Sequence, residues 1–348
     1  MKRKLNLAFA MTLCAAFAFA QNITLPRPSQ YASVTQRVGI SDVTITYHSP
    51  GKNGRQIWGG VVPYGQIWRA GANENTTITF SHDAEIEGQK VPAGTYGLYM
   101  LPKDIENFRV ILSKYAKSWG TVAPAEEETV AIVDVKTHEI PSQDWLSYNF
   151  IDRAGNDVTA ELRWDNVAVP FKISFDVPAI VIENARAELK GIPGFSWRGY
   201  MQAANYCLQN DTNLEEAMQW IDQSISMSSG FSNLQVKAGL LAKAGKTEEA
   251  EKVMQEAIPT ANAFQLNQYG YQLLAQDKTK EAIEIFKMNI EKHPDHQFIW
   301  GFTDSLGEAY LKDGNKKMAL KYYKEARKLA PENQYAYLDG VIEGIEKK

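Results

Sequence analysis

Residues 306–331 read Leu-Gly-Glu-Ala-Tyr-Leu-Lys-Asp-Gly-Asn-Lys-Lys-Met-Ala-Leu-Lys-Tyr-Tyr-Lys-Glu-Ala-Arg-Lys-Leu-Ala-Pro, and the spacing inside this stretch decides the fold of the C-terminal half. Leu306, Gly307, Tyr310, Ala319, Tyr323, Ala326 and Pro331 take positions 7, 8, 11, 20, 24, 27 and 32 of a 34-residue unit. The pattern is that of two helices folded into a hairpin. Small residues let the helices cross closely, and large ones fill the gap to the next hairpin. Three fainter copies stand upstream. Their small second-helix residue recurs at Ala217, Ala250 and Ala282 before Ala319, at intervals of 33, 32 and 37, so the loops vary while the packing unit is kept. Ile221, Met254 and Phe286 stand where Tyr323 does in the last copy, and Gly270 and Pro294 are in register in the third. Trp197 and Tyr200 read as preceding the first helix. A helix from Gln334 to Ile345, bearing Tyr337, Leu338, Val341 and Ile345, is expected to cap the apolar end of the stack.

This spacing resembles the tetratricopeptide repeat, which implies an α-helical solenoid over residues 197–333, capped by 334–348, and a surface for protein or peptide partners. In that geometry the first helix of each hairpin lines a concave groove with Gln202, Tyr206, Gln209, Gln235, Lys243, Phe264, Asn267, Tyr271, Asp304 and Glu308. Amides suit the backbone of an extended peptide and aromatic rings suit its side chains. The groove holds no cluster of Lys and Arg, which argues against a clamp for a terminal carboxylate. The open alternative is a solvated helix face, or one covered by the rest of the chain.

The N-terminal half has a different grammar. From Asn22 to Val177, short alternating runs are broken by Gly, Pro and Asn, as in an antiparallel β fold. Val43, Ile45 and Tyr47 alternate with Thr44, Thr46 and His48, and further runs lie at 77–80, 84–87, 95–101, 109–112, 130–135, 145–151, 158–164 and 169–175. Nine or so strands imply a β-sandwich or jelly roll over residues 22–177. Gly88-Gln89 offers the positive φ that a tight hairpin needs. At Pro178 the alternation gives way to helical spacing, read as a linking helix that ends at Gly191 within a connecting segment 178–196.

The first residues bound the compartment. Lys2, Arg3 and Lys4 precede an apolar run from Leu5 to Phe19 and the small-residue pattern Ala18-Phe19-Ala20, which reads as a secretory signal over residues 1–20, cleaved before Gln21. Lipidation of Cys14 is disfavoured by the bulky Leu13 before it. A periplasmic or secreted protein without a transmembrane segment is expected, since no later stretch reaches about 18 apolar residues. Loss of the leader leaves only Cys207, so no intrachain disulfide can form, and shifts the formal charge from −4 to −7. That charge argues against nucleic acid or an anionic membrane as partner. At 348 residues the chain should form two domains.

The most distinctive β-half segments are Tyr47–Arg55 and Val62–Thr76, together with Pro92-Ala93-Gly94-Thr95-Tyr96. Over roughly Pro28 to Val177 the chain resembles the bacterial domain of unknown function family 2911. The resemblance implies a secreted β-rich domain, often followed by tetratricopeptide units, and supplies no activity. His48 departs from the Ser or other small polar residue expected there, which argues against His48 as a shared catalytic group.

Arg55, Trp58, Tyr64, Trp68, Arg69, Asn73 and Glu74 concentrate binding chemistry in this segment. Arginine offers a planar fork for carboxylate or phosphate, and Trp or Tyr a flat face for a sugar or peptide, so a glycan or small polar ligand could sit at a loop edge. The plainer alternative is an Arg69–Glu74 ion pair with tryptophans packed beneath a long connection. Metal sites are not expected, because His48, His82 and His138 are scattered without a ligand motif, and no cofactor motif stands out. A carboxylate pair for glycoside hydrolysis could come from Glu74, Asp83, Asp144, Asp152 or Asp165. The reading that follows is an exported binding or scaffolding protein of the cell envelope, leaning away from an enzyme. The alternative is an envelope hydrolase acting on glycans or peptides.

Overall fold

A computed structural model describes residues 25–119 and 122–347. The expected leader, its cleavage site and Cys14 lie outside the described residues. The chain divides into two compact units between Val181 and Ile182.

The first unit is built from ten described strands. They are β1 (Gln30–Val38), β2 (Ser41–Ser49), β3 (Thr77–Phe80), β4 (Ala84–Ile86), β5 (Gln89–Val91), β6 (Gly94–Pro102), β7 (Asn107–Ser113), β8 (Thr129–Lys136), β9 (His138–Ile151) and β10 (Asp157–Ser174). They form a six-stranded sheet in the order β1-β2-β3-β6-β7-β8 and a four-stranded sheet in the order β5-β4-β10-β9. Every pairing is antiparallel. The two inner faces share one apolar core, so the unit is a sandwich. On β2, Val43 and Ile45 are wholly buried and Tyr47 nearly so, while Thr44, Thr46 and His48 face outward. The β4–β5 turn falls on Glu87 (φ +48°) and Gly88 (φ +82°), one residue earlier than Gly88-Gln89, and both central residues are left-handed as a twisted two-residue hairpin demands.

Three strand expectations change. β1 escaped the sequence pattern because it is an edge strand whose residues, before the buried Val38, are half-buried or exposed. Residues 158–164 and 169–174 belong to one strand, β10, whose polar break at Asp165-Asn166 is a bulge rather than a turn, with Asp165 at φ +52°. β9 begins at His138 and not at Trp145 because its longer partner β10 runs beside it that far, with Ala168 opposite His138.

The second unit is helical. After α1 (Val177–Glu188), four hairpins follow: α2 (Trp197–Gln209) with α3 (Leu214–Met227), α4 (Phe231–Lys243) with α5 (Thr247–Ala257), α6 (Ala263–Ala275) with α7 (Thr279–Lys292), and α8 (Ile299–Lys312) with α9 (Lys316–Leu329). A final helix, α10 (Tyr335–Glu346), buries Leu338, Ile342 and Ile345. Trp197 and Tyr200 lie inside α2 rather than before it, because Ser196 already caps the helix by accepting from Arg198 N–H. Asn262 and Gln265 cap α6 reciprocally, at 3.0 and 2.9 Å. Cys207 is wholly buried, and burial raises its thiol pKa, as suits a small core residue.

The repeat's small-against-large rule is visible at Gly270. A Cβ there would stand 2.5 Å from the Phe286 ring, a side chain with no exposed surface. Gly340 on α10 has open space instead. Ala at 340 should therefore stabilise the protein by about 1 kcal/mol through helix propensity. Ala at 270 should destabilise it by about 1–2 kcal/mol despite the same gain, because the packed ring must shift. Chemical denaturation of Gly340→Ala and Gly270→Ala checks the opposite signs.

Candidate functional site

The loop joining β2 to β3 is fastened to the sandwich by its tryptophans. Trp58 and Trp68 are 5% and 7% exposed. The Trp68 ring stacks on Trp164 at 5.9 Å, and Trp58 meets Phe108 edge-on at 5.3 Å. Both rings are therefore spent on packing. Arg55 donates to the carbonyls of Gly51 and Lys52 at 2.7 and 3.1 Å, which closes a turn. Tyr64 is 40% exposed and covers Gly59. Arg69 is half-buried, its Nε is sealed from solvent without an acceptor, and desolvation lowers its pKa.

The expected Arg69–Glu74 ion pair is not formed. Glu74 accepts from Arg27 Nη1 at 2.5 and 2.7 Å, and its carboxylate lies 3.3 Å from His48 Nε2. Its backbone has moved into a bridge with Trp119, past left-handed residues at Ala70 and Asn73. The Arg27 hydrogen bonds, ahead of the His48 and Arg27 charges, hold the Glu74 carboxyl below the usual carboxylate range. Asn73 Nδ2 donates to the Ser29 carbonyl at 3.1 Å, tying the chain's 25–31 segment across this corner. The result is an open cleft of ≈ 670 Å³ between that segment, β2 and the start of β3. Of the seven residues marked in sequence, Glu74 lines it and Asn73 braces its rim; Arg55, Trp58, Tyr64, Trp68 and Arg69 do not line it. Sequence reasoning passed over Arg27 and Tyr31 and set His48 aside. The strand alternation that turns Tyr47 inward was the available signal that His48 faces out.

Among the described residues no second carboxylate lines this cleft. Asp83 caps the Ala93 N–H at 2.8 Å, and Asp165 is held by Lys52 at 2.5 Å and Ser142 at 2.8 Å. Among the described residues no group of three or more His, Cys, Asp or Glu side chains is placed to hold a metal ion.

In the helical unit, Phe264, Asn267 and Tyr271 share one face of α6 at helical spacing, as Asp304 and Glu308 do on α8. The Tyr271 hydroxyl lies 2.8 Å from Glu308 Oε2 and 3.1 Å from Ser305 Oγ. Burial first, then the Glu308 charge, pushes the Asp304 carboxyl up to about 6, opposed by a hydrogen bond with Tyr337 of α10. Burial also raises the phenols of Tyr271 and Tyr337 above their ordinary value. Asp304 Oδ1 and Asn267 Oδ1 are enclosed without a hydrogen-bond partner, and among the described residues neither Asp304 nor Glu308 forms a salt bridge. Phe264 is 58% exposed and its ring meets His296, Phe298 and Phe302 at 5.3–5.9 Å. Gln235 and Gln272 join α4 to α6 at 2.8 Å, whereas Gln202 and Gln209 stand exposed on α2 and Tyr206 is half-buried. Lys243 reaches Asp211 at 3.1 Å. Tyr337 was read only as part of the cap; its place beside Asp304 depends on how α10 docks.

The upward shift of Asp304 fixes a sign. The folded state holds this proton more tightly than the unfolded chain, so stability is fullest below pH 3.8 and declines as pH rises through about 6. Asp304→Asn should therefore unfold at a higher temperature than the parent at pH 7.5, by about 1 kcal/mol after allowance for solvent screening, and the gap should close toward pH 4. Thermal melts across that range decide it.

Residues 29–173 match the sequence profile of the family described as protein of unknown function (DUF2911), and residues 304–333 match the tetratricopeptide repeat. No curated protein matches the chain. Solved structures similar to it include pilF of Pseudomonas aeruginosa, at 17% identity over 44% of this chain and 68% of that one, TM-score 0.32. YrrB, described as a TPR protein with an unusual peptide-binding site, is 18% identical over 45% and 79%, TM-score 0.29. The C-terminal part of a TPR repeat-containing protein from Cytophaga hutchinsonii is 19% identical over 44% and 60%, TM-score 0.33. The segment 29–173 is thus a DUF2911 domain, and a tetratricopeptide repeat follows it at 304–333.

Proposed function

We propose that the protein is an exported scaffold of the cell envelope that holds a protein or peptide partner on the face shared by α6, α8 and α10. The observation that carries this reading is the pair Asp304 and Glu308. Two carboxylates on neighbouring turns, one of them half-buried, stand among tyrosines and, among the described residues, form no salt bridge. Leaving such a pair unmatched is unfavourable, and a partner's Lys or Arg would supply the missing charge while Tyr271 and Tyr337 contribute ring faces. Phe264 extends the same face with an exposed apolar ring. Export rests on the basic start, the apolar run and the small residues before Gln21. No helix of the described residues is long and apolar enough to cross a membrane.

Two measurements test this reading. Expressed with its leader in a bacterial host, the purified protein should begin at Gln21 by mass spectrometry; a retained Met1 would refute export. A fluorescent peptide alternating Lys with Phe or Leu should bind the full chain more tightly than its Glu counterpart. The double change Asp304→Asn with Glu308→Gln should weaken that binding at least about tenfold, which is the 1.4 kcal/mol of one well-formed charge-assisted contact. Equal affinity for the two peptides would remove the proposal.

A further inference from the structure

The cleft beside Glu74 carries a different chemistry from the helical face. Its charges cancel, because the Arg27 guanidinium already neutralises the Glu74 carboxylate at 2.5 and 2.7 Å. Such a corner selects neither anions nor cations. What it presents is a fixed fan of hydrogen-bonding groups: carboxylate lone pairs, guanidinium N–H groups and the His48 imidazole 3.3 Å from the same carboxylate.

Two aromatic faces stand beside that fan and the fold leaves both uncovered. Tyr31 is 67% exposed and is held edge-on to His48 at 5.8 Å between ring centres. Trp119 is 63% exposed, with the Arg27 guanidinium 5.9 Å from its ring centre. Away from the cleft, the outer face of the six-stranded sheet is paved with hydroxyls. Register places Thr35, Thr44, Thr79 and Thr95 in one row across β1, β2, β3 and β6. Ser33 and Thr46 pair at 3.3 Å in the next row, which Thr77 continues into the cleft.

We propose that this cleft, with the hydroxyl face leading out of it, binds a neutral saccharide chain. A sugar ring has the two surfaces the site offers to match: a C–H face that lies on a tyrosine or tryptophan, and a rim of hydroxyls that bond to a carboxylate, a guanidinium and an imidazole. A purely apolar ligand would strip water from Glu74 and Arg27 with nothing in return. A cation would have to displace Arg27, and an anion would meet Glu74. The volume of ≈ 670 Å³ is in the range of small-ligand clefts, with room for a few sugar rings. This site is independent of the helical face, so either can fail without the other.

The test uses the full chain, titrated by calorimetry and tryptophan fluorescence with neutral tetrasaccharides of glucose, N-acetylglucosamine, mannose and xylose. At least one should bind, with a change in tryptophan emission. Tyr31→Ala and Trp119→Ala should each weaken it about tenfold. Both residues are exposed, so the unfolding temperature should stay put. Tyr64→Ala, at an exposed tyrosine outside the cleft, should bind as the parent does. Absence of binding by all four sugars at about 10 mM, near the weak limit of specific affinity, overturns the proposal. So does binding that neither Tyr31→Ala nor Trp119→Ala alters.

Discussion

The burial of Trp58 and Trp68 against Trp164 is the contact on which the geometry of the β domain depends. Between Ser49 and Thr77 the chain forms no strand, yet it must cross a sandwich edge and deliver β3 to its place beside β2. A connection of that length loses its definition unless side chains anchor it. Removing one buried Trp typically costs about 3–5 kcal/mol, a large part of a domain's net stability. The anchoring also has a directional effect. Trp68 N–H and carbonyl both pair with Met100 of β6, and its indole donates to Gly71, so the chain leaves the core at a fixed point. Four residues after Gly71, Asn75 enters a buried network with Ser118 and Tyr99 at 2.7 and 2.6 Å. Glu74 stands between these two anchors and meets His48 of β2 and Arg27 of the segment before β1.

The helical unit depends on a different constraint, close approach between helices. Gly270 faces Phe286 and Gly307 faces Tyr323, so the third and fourth hairpins each close by setting a missing side chain against a large ring. That arrangement fixes which residues are left over. With Leu266, Leu273, Leu306 and Tyr310 committed to packing, the opposite faces of α6 and α8 carry Asn267, Tyr271, Asp304 and Glu308. Asp304 also meets α10, the helix seated by Leu338 and Ile342, through its hydrogen bond with Tyr337. The cap that seals the stack thus also shapes the candidate binding face.

How much of this was legible in the sequence follows from how local each signal is. The hairpin register of residues 306–331 is set by contacts between near neighbours in the chain, and Gly307, Ala319 and Tyr323 stand where the spacing puts them. The alternation on β2 is equally local. The cleft is not. Glu74 and Arg27 are 47 positions apart, and their pairing depends on two left-handed residues and a tryptophan anchor that composition does not reveal. Arg55, Trp58 and Trp68 drew attention because their chemistry is versatile. The same large surfaces that suit a ligand also suit a core, and only the three-dimensional packing shows which use prevailed. His48 was discounted for its departure from a family pattern. Its orientation, set by a period of two, carried the better information.

The two candidate surfaces also differ in how they treat charge, and that difference constrains what each can hold. Among the described residues the α8 carboxylates Asp304 and Glu308 form no salt bridge, so the favourable way to cover them is with a cation. Raising ionic strength would weaken that attachment, since the pair is partly exposed. In the β-domain cleft the counterion is built in. Arg27 fixes Glu74 in place and removes its net field, leaving directional hydrogen bonds and ring faces as the means of selection, and these are little affected by salt. On the two proposals, one face would recruit by electrostatics and the other by shape and hydroxyl geometry. Salt dependence separates the two modes of binding in a single molecule.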